Sequence, residues 1–238
     1  MSTTRSGSLG PRERIVLAAA RLLAEGGAEA MTTRAVEAAA GVQAPAIYRL
    51  FGDKRGLLEA VAEHQYGEFV RAKAAGTSDD ADRDPIEVLR EAWRANVQFG
   101  LDNPALFALM NGEGRPGERW AAVELGYEIL HARVERIAAA GRLRVGEQRA
   151  IHLIVASARG AVLTLNDQPA EERDLGLLDD VLDGLVAMIA IDGPAAARDA
   201  SVAVAANALR VALRTEEAGL TPGETALLDE LLVRLSSN

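Results

Sequence analysis

The chain has 238 residues, 49% of them hydrophobic and only 4% aromatic, and a formal net charge of −9. That length permits a large buried core, and the absence of cysteine excludes a disulfide scaffold, a thiolate metal site and a cysteine nucleophile. Ala and Leu dominate, which favours helices over sheet. No run of about 18 apolar residues is present and the N-terminus lacks a signal-peptide pattern, so the expectation is a cytoplasmic protein that does not enter the membrane.

Residues 1–9 read as a flexible tail. A first amphipathic helix follows, with Ile15, Ala19, Leu22 and Leu23 on one face and Gly27 after it. The stretch from Thr32 to Lys54 then carries two short helices joined by a tight turn. Val36, Ala39 and Ala40 fall at helical spacing, and Gly41 can end the helix in a left-handed conformation at no steric cost. Val42 is the expected buried residue of the turn. Pro45 falls in the first turn of the next helix, where its missing N–H has no intrahelical role to lose. In that helix Ile47 and Leu50 are expected to point inward, while Ala44, Ala46, Tyr48 and Arg49 can face outward. Asp53 is suited to cap a further helix that passes through Leu57, Leu58 and Val61, with Lys54 in its first turn.

From about Arg12 to Val61 this pattern resembles the DNA-binding domain of the TetR family of bacterial transcriptional regulators. The resemblance rests on Thr32-Thr33, Gly41-Val42, Tyr48, Phe51, Lys54 and Leu57-Leu58, together with the first helix. It implies a helix-turn-helix, whose second helix enters a DNA major groove. Three positions depart from the family pattern. Leu50 stands where His is usual, which removes one possible phosphate contact. Gln43 stands where a Ser or Thr cap is common, which starts the recognition helix poorly. Gly56 lies inside the opening turn of the fourth helix. The implied DNA-binding residues are Thr33, Arg34, Gln43, Ala44, Ala46, Tyr48, Arg49 and Lys54, with Arg34 and the small residues Ala44 and Ala46 toward base edges and Tyr48, Arg49 and Lys54 toward phosphates.

The net charge opposes DNA binding if spread evenly, but it is not. Residues 1–75 carry ten Arg and Lys against eight Asp and Glu, a net of +2, whereas the other 163 carry 16 against 27. Screening limits exposed charges to a Debye length of roughly 8 Å in physiological salt, so the field near the phosphates matters more than the sum. Lys54 and Lys73 are the chain's only lysines. A compact ammonium suits a single phosphate oxygen, whereas the arginine fork suits bidentate contacts.

Beyond Val61 the fourth helix continues to Ala75, and Gly76 to Asp84 reads as an acidic loop. Pro85 starts a helix through Trp93, Val97 and Leu101, and Asn103-Pro104 opens a short one that ends near Asn111-Gly112. The stretch NGEGRPG reads as a loop before a long helix from about Glu118 to Ala140. Helices from about Gly146 to Leu165 and from Leu175 to Ala190 follow. By the resemblance, residues 57–191 form an effector-binding and dimerisation domain after a head at 10–56, and the last two of these helices form the interface of a homodimer. Ala156, Ser157, Ala158, Gly160 and Ala161 offer a small face, and Leu178, Val181, Leu182, Leu185 and Met188 a large one. Both stripes fit an internal core equally well.

Residues 192–238 form an additional helical pair. The segment AAARDASVAVAANALRVALRTEE reads as one helix, and Thr221, Pro222 and Glu224 start the other, whose buried face is expected at Leu227, Leu228, Leu231, Leu232 and Leu235.

No phosphate loop, metalloprotease motif or nucleophile elbow is present, and His64, His131 and His152 stand singly on helices. Neither catalysis, a metal nor a cofactor is expected. The reading is an all-α DNA-binding regulator, a repressor released from a palindromic double-stranded operator by an unknown small-molecule effector. Trp93, Phe99, Phe107, Met110, Trp120, Tyr127 and His131 are candidate effector contacts, although aromatic core packing accounts for any one of them. Two alternatives stay open: an effector-independent regulator or activator, and a helical small-molecule-binding protein that has lost DNA affinity.

Overall fold

The computed structural model describes residues 9–76, 82–112, 120–191, 201–216 and 218–236. The predicted tail up to residue 8, most of both predicted loops and the expected start of the long helix at Glu118 lie outside them. So do residues 192–200, which include the expected beginning of the penultimate helix, and Glu217. Among the described residues there are eleven α-helices and a single isolated antiparallel bridge, between Leu143 and Ala190.

The chain divides into two compact units. The first comprises Met1–Ala75 and Asp102–Gly126. In it α1 (Pro11–Ala30) is not one straight helix: Gly26 and Gly27 are non-helical and break it. Ile15, Val16, Ala19 and Leu23 of α1 pack in the core with Val36 of α2 (Thr33–Ala40) and Ile47 of α3 (Ala44–Phe51). Leu57, Leu58 and Val61 of α4 (Lys54–Gly76) complete the head. This unit takes in more than the head, because α6 (Pro104–Gly112) packs on α1 and buries Leu106 and Leu109.

Inward positions differ from expectation in three places. Leu50 is exposed rather than inward. In a helix of two turns the residue on Ile47's face is Phe51, four positions on; Phe51 is half-buried, with the Arg12 guanidinium 5.4 Å from its ring centroid. Ala39 is exposed and Val42 is only half-buried. In α2 the inward stripe runs Val36 to Ala40, a four-residue step that leaves Ala39 outside.

The second unit comprises Gly76–Leu101 and Tyr127–Asn238. Its core is built from α5 (Pro85–Asp102), the later part of α7 (Ala121–Ala139), α8 (Glu147–Asn166) and α9 (Gly176–Ile189). Ile86, Leu89, Trp93 and Val97 are buried in it, as are Val134, Ile137, Ile151, Ile154, Leu182 and Ile189. A short backbone clasp closes one end: Arg144 N–H donates to Ile189 O and Ile191 N–H to Arg142 O, each at 2.9 Å. The buried Arg142 side chain bonds Ile191 O at 3.0 Å and Asp84 Oδ2 at 2.7 Å. Arg90 pairs with Asp183, and Arg94 with Asp179 at 3.1 Å, so ion pairs join α5 to α9.

The terminal pair consists of α10 (Val202–Thr215) and α11 (Pro222–Ser236), which pack together. Ser201 caps α10 through Val204 N–H, a start that lies later than the sequence suggested. Asn207 Nδ2 donates to Leu143 O and Val145 O at 3.2 and 2.8 Å, and Arg214 reaches Glu147 and Glu135. The capping box of α11 forms as the sequence indicated: Thr221 N–H donates to Glu224 Oε2 at 2.8 Å and Glu224 N–H to Thr221 Oγ1 at 3.4 Å. Its apolar face does not. Leu232 is buried and Leu228 half-buried, but Leu227, Leu231 and Leu235 are exposed, because only one side of α11 lies on α10.

Candidate nucleic-acid interface

The interface is assembled by caps. Thr32 is the N-cap of α2, its Oγ1 accepting from Ala35 N–H at 3.1 Å. Gly41 ends α2 in the left-handed region at φ 64°, where a Cβ is strained. Its N–H and that of Val42 both bond Glu37 O, which closes the turn.

Gln43 occupies the N-cap position of α3 but its side chain makes no cap, as the sequence indicated. Glu37 does this work from α2, its Oε1 accepting from Ala44 N–H. Pro45 contributes no donor, and Ala46 N–H bonds Gln43 O at 2.9 Å. Downstream, Asp53 Oδ1 accepts from Gly56 N–H at 2.8 Å and so caps α4. The glycine at 56 has a structural reason: an added Cβ there would lie 2.0 Å from Phe51 O.

Tyr48 is 53% exposed, a large side chain with its phenol in solvent on the outer face of α3. Its hydroxyl lies 3.5 Å from Thr33 Oγ1, at the outer limit of a hydrogen bond, which ties the ring to the start of α2. Arg34 and Arg49 are exposed, and Ala44 and Ala46 are half-buried. Lys54 is exposed and its ammonium donates to Ala28 O at 3.3 Å, a contact with α1 that leaves two of its three protons for other acceptors. Thus Thr33, Arg34, Ala44, Ala46, Tyr48, Arg49 and Lys54 lie on α2, α3 and the opening of α4, and Gln43 in the turn before α3, all within the first unit. Sequence reasoning missed Glu37. The available signal was an acidic residue seven positions before a helix start that lacks a capping side chain.

The candidate effector contacts are divided between the units. Trp93, Phe99, Tyr127 and His131 belong to the second, and Phe107, Met110 and Trp120 to the first. Trp93 is 2% exposed and its Nε1 donates to Ser157 Oγ at 3.0 Å, so its polar atom is already engaged in the core. Phe99 and Tyr127 are half-buried, as are Phe107, Met110 and Trp120, whereas His131 is exposed.

Residues 15–61 match the family model described as bacterial regulatory proteins, tetR family. No curated protein matches the chain. Among solved structures, the transcriptional regulator FadR from Bacillus subtilis in complex with stearoyl-CoA aligns over 73% of this chain and 96% of its own, at 19% identity and a TM-score of 0.59. A TetR variant from Acinetobacter baumannii AYE in complex with minocycline aligns over 73% and 91%, at 24% identity and a TM-score of 0.51. A protein of unknown function from Rhodococcus sp. RHA1 aligns over 79% and 100%, at 23% identity and a TM-score of 0.62. At such identities the likeness concerns the fold. With its capped helix-turn-helix and the match over residues 15–61, the head of this chain is similar to the bacterial regulatory proteins of the tetR family.

Proposed function

We propose that the protein is a homodimeric repressor that reads a palindromic double-stranded operator and leaves it when a small molecule binds. The observation that carries this reading is the outer face of α3, where Tyr48 and Arg49 stand in solvent on a helix whose first N–H is bonded by Glu37. Arg34, Ala44 and Ala46 approach base edges, and Thr33, Tyr48, Arg49 and Lys54 hold phosphates; Gln43, exposed at the start of α3, can reach either. A head of only +2 over residues 1–75 binds weakly alone. A two-fold pair that spans successive major grooves supplies the missing affinity.

The dimer is supported by α8 and α9. Their predicted stripes divide: Ala158, Ala161, Leu182 and Leu185 are core, whereas Ala156 and Gly160 of α8 and Met188 of α9 face outward, and Gly184 and Ala187, outside the predicted stripe, are exposed with them. Beside them Leu163 and Met188 are 49% and 54% exposed. Small residues between two large apolar ones let a second copy approach closely. The effector is an apolar or aromatic compound, in line with the stearoyl-CoA and minocycline held by two of the structural neighbours. Phe99, Tyr127 and His131 are its contacts in the second unit. It acts by shifting the population toward a form whose two heads no longer fit successive grooves.

Selection of bound fragments from random genomic DNA tests the reading. The expected product is an inverted repeat with half-sites about one helical turn apart. Tyr48→Phe and Lys54→Ala should weaken binding to every sequence and flatten the salt dependence, while Arg34→Ala should also relax sequence preference. Retention of no fragment, or an affinity indifferent to salt, overturns it.

A further inference from the structure

Glu37 accepts three N–H groups along the turn between α2 and α3. Its backbone carbonyl accepts the N–H groups of Gly41 and Val42, and its half-buried carboxylate accepts that of Ala44. The recognition helix it meets has eight residues and no capping side chain of its own. Two turns of helix do not hold themselves in water, so the helix start depends on what is bonded to it. The other candidates in the first turn are spent: Pro45 has no N–H and Ala46 N–H bonds Gln43 O. A carboxylate at a helix N-terminus also favours the helix through the macrodipole. Opposing this, the same negative charge lies at the start of the helix that meets DNA phosphates.

We infer that Glu37 is the positioning residue of the recognition helix: its carboxylate sets where α3 starts relative to α2, and so gives sequence discrimination at a cost in general affinity for DNA. The first-turn N–H groups of α3 are therefore not phosphate ligands in this protein, and backbone contacts fall to side chains such as Tyr48, Arg49 and Lys54. The inference rests on the DNA-reading role of α3.

Three full-length variants test it. Glu37→Ala removes both the cap and the charge. Glu37→Gln keeps an oxygen acceptor and removes only the charge. Glu37→Ala combined with Gln43→Ser replaces the remote cap by a local one, in which the introduced hydroxyl takes Ala46 N–H over from the carbonyl of residue 43, as Thr32 Oγ1 accepts from Ala35 N–H. Affinity is measured for the selected operator and for a scrambled duplex of equal length, and amide exchange at residues 44–48 is measured on the DNA-free protein. In Glu37→Ala the ratio of the two affinities should fall roughly five- to ten-fold, the size of a lost helix cap, while scrambled-duplex affinity holds or rises. Exchange at the Ala44 amide should speed up. Glu37→Gln should keep the ratio and the Ala44 protection and bind the scrambled duplex more tightly. The double variant should recover the ratio although Ala44 exchanges fast. A purely structural role for Glu37 would instead lower both affinities together.

An unchanged ratio in Glu37→Ala, equal behaviour of the Ala and Gln variants, or no recovery on adding Gln43→Ser overturns the inference. If the unaltered protein retains no DNA, the DNA reading fails, and the inference is overturned with it even where the exchange measurements confirm the cap.

Discussion

Replacement of Arg214 by Met tests what holds the terminal helical pair. The Glu147 carboxylate is 6% exposed in the first turn of α8 and receives Arg214 Nη2 and Nη1 at 2.6 and 3.3 Å. The Glu135 carboxylate lies 3.3 Å from the same guanidinium. Removal of one partner of a buried ion pair costs about 3–5 kcal/mol, because the remaining charge is stranded. Two features reduce that figure here. The Arg214 side chain is 39% exposed, so solvent screens the pair. The N-terminal end of α8 also supports the remaining carboxylate by about 0.3–1 kcal/mol, and His131 Nε2 lies 4.0 Å from it. The expected loss in Arg214→Met is therefore about 2–3 kcal/mol, measured by equilibrium urea denaturation at fixed protein concentration. Glu147→Met leaves a more exposed cation that still faces Glu135 and should cost less, and the double variant Arg214→Met/Glu147→Met should regain most of the Arg214→Met loss. A loss below about 0.5 kcal/mol, or a double variant equal to the sum of the singles, would show that the pair contributes nothing beyond surface charge.

Other perturbations bear on the head and the core. Gly56→Ala gains about 1 kcal/mol in helix propensity, but its Cβ would stand 2.0 Å from Phe51 O. The obstacle is backbone, so the turn between α3 and α4 must shift at about 1–3 kcal/mol or more. A net loss of stability and of operator affinity is expected, and a variant melting at or above the parent temperature refutes the steric account. Burial pushes the Asp84 carboxyl up, but the Arg142 guanidinium and the N–H groups of Ile86 and Glu87 outweigh it and hold it below its usual 3.8. A depressed folded value means stability that is present above 3.8 and lost as the pH falls through the lower folded value. Asp84→Asn should thus be less stable than the parent at pH 6, with the difference shrinking below pH 3.8; a gap that is constant with pH excludes this linkage. Trp93→Phe removes the bond to Ser157 and should cost about 1 kcal/mol, with effector affinity in a fluorescence titration unchanged. A loss of effector affinity would move Trp93 from the core to the ligand site.

Much of this molecule was readable locally. Helix boundaries at Pro85, Pro104 and Pro222, the cap at Asp53, the Gly41 turn and the Thr221–Glu224 box depend on residues within a turn of one another, so backbone chemistry alone specifies them. The helix-turn-helix and its outward residues belong to the same class, since a tight two-helix unit leaves few arrangements. Residues that act across distance were not readable. Glu37 caps a helix seven positions later, and Arg214 neutralises a glutamate 67 positions earlier. Neither pairing has a periodicity, so no spacing in the chain announces it.

The division is clearest for apolar stripes. A row of Leu, Val or Ala at three- and four-residue steps establishes that a helix has an apolar side, because side chains at those intervals share a face. Which part of that side meets the protein's own interior is a property of the neighbouring elements. In α3 the inward partner of Ile47 is Phe51 rather than Leu50; in α8 Ala158 and Ala161 are core while Ala156 and Gly160 are open, and in α9 Leu182 and Leu185 are core while Met188 is open; in α11 Leu232 is covered while Leu227, Leu231 and Leu235 are not. Burial is a contact with something else, and that partner is supplied only when the helices have packed.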